Sequence, residues 1–85
     1  MEIKYSKKAA KNAAKLPKDV AKLVKQAIEG LAETPPRGDI KNMQGYSDGR
    51  KRLRVGKYRV IFQYLNDGSV YVWIIEIGSR GDIYK

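Results

Sequence analysis

A chain of 85 residues and 9.6 kDa has room for one small domain around one core. It contains no cysteine and no histidine, which excludes a disulfide framework, thiolate or imidazole metal sites, a cysteine nucleophile and imidazole acid–base chemistry. Eighteen Lys and Arg against nine Asp and Glu leave a formal charge of +9, so the surface favours polyanionic partners, nucleic acid first among them.

The 42% hydrophobic content is that of a folded chain. The opening "MEIKYSKKAAKNAAKL" has no continuous apolar run, so neither a secretory signal nor a membrane span is expected, and a cytoplasmic protein without a cofactor or small-molecule ligand fits. Met1, Ile3 and Tyr5 alternate with Glu2 and Lys4, which predicts a short first strand. Ser6 is placed to cap a helix through "KKAAKNAAKL", with Ala9, Ala10, Ala13 and Ala14 at helical spacing. Pro17 ends that helix and suits the first turn of the next, so a tight helical hairpin is expected. In the second helix Val20, Leu23, Val24, Ala27, Ile28 and Leu31 form one apolar stripe. "TPPRGD" stops it, and a loop carrying "NMQGYSDG" is expected to follow.

From Lys51 the period changes to two, and "GK" at Gly56 and Lys57 marks a tight turn into "YRVIFQYL". "NDG" at Asn66–Gly68 turns that strand into "SVYVWIIEI". These last two strands are apolar on both faces, which makes them central, with Trp73 expected in the core. The predicted class is α+β, in the order β-α-α-β-β-β, with an antiparallel sheet covered on one face by the helical hairpin. The other face is left for function.

Most lysines on the helices read as solvated surface. Arg50, Arg52, Arg54 and Arg59 differ, because strand alternation and the hairpin fold crowd them together, and like charges held close call for a bound anion. Guanidinium forks match phosphate geometry and stay charged at any physiological pH. Arg80 and Tyr84 follow the last strand and are able to join the same concavity. Cutting RNA without histidine or metal would use the neighbouring 2′-hydroxyl as nucleophile, with arginines stabilising charge on the phosphoryl oxygens. No carboxylate stands between Arg50 and Arg59 to act as base; the lone acid of the last strand, Glu76, is expected to hold a neighbouring arginine.

Taken jointly, "MQGYSDGRKRLRVGKYRVIFQY", the hydrophobic strand and "IGSRGDIYK" resemble the signature of the RelE/ParE toxin superfamily over nearly the whole chain. The resemblance implies the toxin of a type II toxin–antitoxin system, held inactive by a cognate antitoxin. In the RelE branch it implies a ribosome-dependent endonuclease that cuts mRNA without a metal. It assigns catalysis to Arg50, Arg52, Arg59, Arg80 and Tyr84; Lys51, Arg54 and Lys57, basic residues of the same stretch, are expected as further RNA contacts. Arg50 and Arg52 stand where RelE proteins often carry lysine, and arginine is a poor proton acceptor, so the resemblance does not supply the general base. Many relatives carry a further helix after the tyrosine. This chain ends at Lys85, so masking of the basic face is the expected route of inhibition. The alternative is a ParE-like inhibitor of DNA gyrase with no nuclease activity, which shares the fold.

Overall fold

The computed structural model describes residues 1–79. Five strands and two helices follow in the order β1 (Glu2–Tyr5), α1 (Lys7–Ala14), α2 (Lys18–Gly30), β2 (Asp39–Asn42), β3 (Lys51–Val55), β4 (Tyr58–Asn66) and β5 (Val70–Ser79). Ser6 caps α1 as its position predicts, its hydroxyl accepting from Ala9 N at 2.9 Å. Pro17 stands at the N-cap of α2, just ahead of its first turn, with Asp19 inside that turn near the positive end of the helix dipole. Among the described residues no helix is long and apolar enough to cross a membrane.

The sheet runs β1-β5-β4-β3-β2. The meander β3-β4-β5 is antiparallel as expected, but two features depart from the expected sheet. Asp39–Asn42 pairs with Arg54–Lys51 as a fifth strand where only a loop was foreseen. "DIKN" has one apolar residue, and a short edge strand needs only main-chain partners on one side, so its side chains carry little signal. β1 pairs parallel to β5, which makes the sheet mixed. Alternation reveals that a segment is a strand but not its direction, which depends on how the helices carry the chain across the sheet.

The core lies between the helices and one sheet face. Ala9 of α1, Val24 and Ile28 of α2 and Leu31 at its C-cap meet Leu53, Val60, Phe62, Val72, Ile74 and Ile77, all 2% exposed or less. Leu23 was expected in this layer and is 59% exposed. At 100° per residue it lies about 85° from the mean direction of Val20, Val24, Ala27, Ile28 and Leu31, beyond what one packed sheet covers. The two helices, separated by three residues, both pack on this sheet face, as the expected helical hairpin. A pocket of about 190 Å³ remains between them, bordered by Ala13, Leu16, Ala21, Val24 and Ile28.

Two devices set the parity of β5. A bulge opposite Ile61/Phe62 pairs Phe62 with Ile74 but Ile61 with Glu76, so Ile74 and Ile77, three apart, both point into the core. The β1 pairing ends at Ile74, and α1 serves the bare edge beyond it. Ser6 Oγ donates to Ile75 O at 2.7 Å, and Ile77 N donates to Asn12 Oδ1 at 3.1 Å. Trp73, between inward-facing Val72 and Ile74, therefore projects from the opposite face, half-buried beside Gln63 and Lys4, and is not in the core as expected.

Candidate nucleic-acid interface

The face away from the helices is built in rows by the strand register. One row runs Lys41, Arg52, Ile61, Glu76; the next runs Asp39, Arg54, Arg59, Gly78. Arg54 and Arg59 are thus directly opposed across β3 and β4, with Cβ atoms about 5 Å apart for such a pair. Arg52 sits one pleat along the same face. The crowding expected from alternation is therefore what the register produces. Burial divides the group: Arg52 and Arg59 are 9% and 5% exposed, while Arg54 is open to solvent. Ile61, 3% exposed and separate from the helix-side core, floors the row between Arg52 and Glu76.

Arg50 reaches the same face from the loop before β3. The turn is set by Asp48, whose Oδ1 accepts from Arg50 N at 3.1 Å, the Asx-turn habit of aspartate before glycine. Gly49 follows at φ 79°, a left-handed conformation that favours glycine. Asp48 Oδ2 then holds Arg50 Nη2 at 3.0 Å, and the Tyr46 ring lies 4.4 Å from the guanidinium carbon. Gln63 Nε2 donates to Asp48 O at 2.8 Å and ties the loop to β4. Arg50 is therefore oriented and partly neutralised, with a buried Nε that has no hydrogen-bond partner among the described residues. Neither Asp48 nor Tyr46 was singled out from sequence. The signal was there in "DGR", an Asx turn aimed at the arginine that follows it.

The remaining candidates are not gathered in one place. Lys51 has the opposite parity to Arg52 and donates to Asn42 Oδ1 at 2.6 Å, away from the arginines. Lys57 is exposed in the β3–β4 turn. Arg80 and Tyr84 lie outside the described residues. Glu76, expected to hold an arginine, is instead paired with Lys8 of α1 at 3.2 Å among the described residues. α1 passes the open edge of β5 and brings Lys8 to it. No group of three or more carboxylates or other donors suited to a metal occurs among the described residues.

A face with permanently charged guanidinium groups, two of them largely withdrawn from water, presents fixed positive charge to a phosphate, and the low-dielectric setting strengthens each contact. It suits charge stabilisation, and among the described residues the proton acceptors at its margins are the carboxylates Asp39, Asp48 and Glu76.

Comparison with known proteins agrees with this architecture. Residues 3–84 match the family model described as ParE toxin of type II toxin–antitoxin system, parDE. No curated protein sequence matches. Among solved structures, the RelB–RelE antitoxin–toxin complex from Methanococcus jannaschii superposes with TM-score 0.73 at 25% identity, covering 94% of this chain and 93% of the other. The toxin–antitoxin complex RelBE2 from Mycobacterium tuberculosis gives 0.75 at 22%, covering 93% and 96%. The YoeB/ParE toxin from Agrobacterium tumefaciens gives 0.77 at 13%, covering 94% and 99%. With the family model spanning nearly every residue and the same α+β sheet in these structures, the chain belongs to the RelE/ParE family of type II toxin–antitoxin toxins.

Proposed function

We propose that this toxin arrests translation by cutting mRNA on the ribosome, in the cytoplasm, through attack of the 2′-hydroxyl on the adjacent phosphate, which breaks the bond to the 5′-oxygen, leaves a 2′,3′-cyclic phosphate and passes the hydroxyl proton, net, to the departing 5′-oxygen. The observation that carries the reading is the convergence of Arg52, Arg54 and Arg59 on one sheet face, with Arg50 braced at its margin. Arg59, with Arg80, serves the scissile phosphate. Arg50 and Arg52 support the backbone, Arg54 and Lys57 add contacts to flanking phosphates, and Tyr84 meets a base or phosphate. Lys51, engaged with Asn42 on the other side of the strand, contributes only through its charge. Donors aimed at developing phosphoryl charge are worth about 3 kcal/mol each when well placed. The cognate antitoxin, by analogy with the RelB–RelE complexes that resemble this chain, covers the basic face with an acidic or amphipathic segment.

The test is mRNA mapped by primer extension after brief induction, for the unaltered chain and for Arg59→Ala, Arg80→Ala and Tyr84→Ala. Translation-dependent cuts that vanish in the variants support the reading; intact mRNA with arrested growth overturns it. That second result would favour gyrase inhibition, the reading to which the match with a ParE model gives weight, and a supercoiling assay with purified gyrase would then show loss of activity.

A further inference from the structure

The same sheet face does not end at the arginines. Along β4 from Arg59 it continues through Ile61 to Gln63, four residues or about 13 Å away, where the row is completed by Trp73 of β5 and Lys4 of β1. Tyr71 follows on the same face, opposite Leu65. One end of the face is therefore cationic and the other aromatic, on a single rigid sheet. Trp73 stands apart from the other aromatics there. Lys4 Nζ lies 4.6 Å from the Tyr71 ring, and Tyr46 is stacked on Arg50. The indole of Trp73 is half-buried, yet it meets no aromatic or cationic partner and makes no hydrogen bond among the described residues. A large ring held by its strand on a functional face, with its own stacking capacity unused, suits a planar group brought in from outside.

We infer that Trp73 is a stacking subsite for an unpaired base of a polynucleotide strand whose phosphates lie on the arginine end of the face. The inference rests on the nucleic-acid reading above and extends it. Charge selects the occupant: a face with Arg52, Arg54 and Arg59 at one end in a chain of charge +9 attracts a polyanion, and only a polyanion carrying aromatic bases uses both ends. The geometry also makes a prediction about length. A mononucleotide engages one end at a time, whereas a strand of several linked nucleotides bridges the roughly 13 Å between Arg59 and Trp73 and gains both contacts. Of the described carboxylates bordering this path, Glu76 is offset by Lys8 and Asp48 by Arg50.

Trp73 is the chain's one tryptophan, so its emission reports on this position without a label. The probe is a short 2′-O-methyl oligoadenylate, which has bases and phosphates but no free 2′-hydroxyl and survives any cleavage activity. Inorganic polyphosphate serves as the base-free comparison. The expected result is quenching of Trp73 emission by the oligoadenylate and none by polyphosphate. Trp73→Ala should bind the oligoadenylate about tenfold more weakly, Trp73→Phe should recover most of that loss, and polyphosphate should bind all three alike. Oligoadenylate binding that leaves the emission unchanged, or that is as tight in Trp73→Ala, overturns the inference; the titration of the unaltered chain decides this even should the variant fail to fold. Such a result with mRNA cleavage intact overturns the stacking subsite alone. Failure of the unaltered chain to bind either polymer, without mRNA cleavage, removes the nucleic-acid reading and the subsite with it.

Discussion

Ser6 does two jobs with one hydroxyl, and its replacement tests how α1 is anchored to the sheet. Its Oγ accepts from Ala9 N at 2.9 Å, capping α1, and donates to Ile75 O at 2.7 Å, satisfying the bulge residue of β5. Loss of an N-cap costs about 1 kcal/mol. A half-buried carbonyl left without its donor costs about 1 kcal/mol more. Ser6→Ala should therefore lose about 2 kcal/mol, against a total stability of about 5–15 kcal/mol for a domain of this kind. At about 4–8 °C per kcal/mol for a domain this small, the midpoint in a thermal unfolding scan followed by circular dichroism falls by about 8–16 °C. Ser6→Thr keeps both bonds and should lie near the parent. Ser6→Asp keeps the cap but cannot donate to Ile75, so it should recover only part of the loss. Full recovery in Ser6→Asp would mean that the bond to β5 contributes nothing; a Ser6→Ala midpoint within 2 °C of the parent, roughly half a kcal/mol or less, would refute the reasoning altogether.

Asn12→Ala leaves the Ile77 amide without its acceptor and should cost about 1–3 kcal/mol in denaturant unfolding, with Asn12→Asp, which restores an acceptor, recovering much of it. Gly38 has φ 123°, and a Cβ there would stand 2.7 Å from Leu53 Cδ1 in the core, so Gly38→Ala should destabilise by about 1–3 kcal/mol in the same measurement. Burial raises the Tyr64 hydroxyl above its ordinary value of 10.0, and burial followed by the charge of Glu29 raises Tyr5. The unfolded chain therefore loses these protons first: stability is fully present below pH 10 and declines as pH rises past it, and Tyr64→Phe should flatten that alkaline decline while losing the bond to Leu31 O. Arg54, the exposed member of the arginine group, should on replacement by Ala weaken RNA binding similarly for all sequences and reduce the slope of log affinity against log salt by about 1.

The arginine cluster of the candidate site was legible in the sequence. Period-two alternation in "RLRVGKYRV" requires Arg52, Arg54 and Arg59 to share a face once the hairpin closes, because side-chain direction in a strand follows from sequence position alone. The Ser6 cap and most of the α2 stripe are local as well, each depending on residues within a turn or two. Other features depend on contacts between distant segments. Trp73 reads as core in "VYVWIIEI", since a strand apolar on both sides does not say which side is the inner one; the bulge at Ile61/Phe62 and the packing of α2 decide it. Glu76 finds Lys8 because α1 passes the edge of β5, 68 residues away in the chain.

The amino-acid sequence by itself determined the two helices, the three-stranded meander, the clustering of arginines and the exclusion of thiol and imidazole chemistry, because composition, periodicity and turn residues act over short stretches of chain. Only the tertiary structure decided that β1 runs parallel to β5, that "DIKN" is an edge strand, that Asp48 and Tyr46 brace Arg50, and that the cationic face continues to Trp73. Each of these follows from how main-chain hydrogen bonds and side chains far apart in sequence are brought into register, and burial of a common core fixes that register for the whole sheet at once.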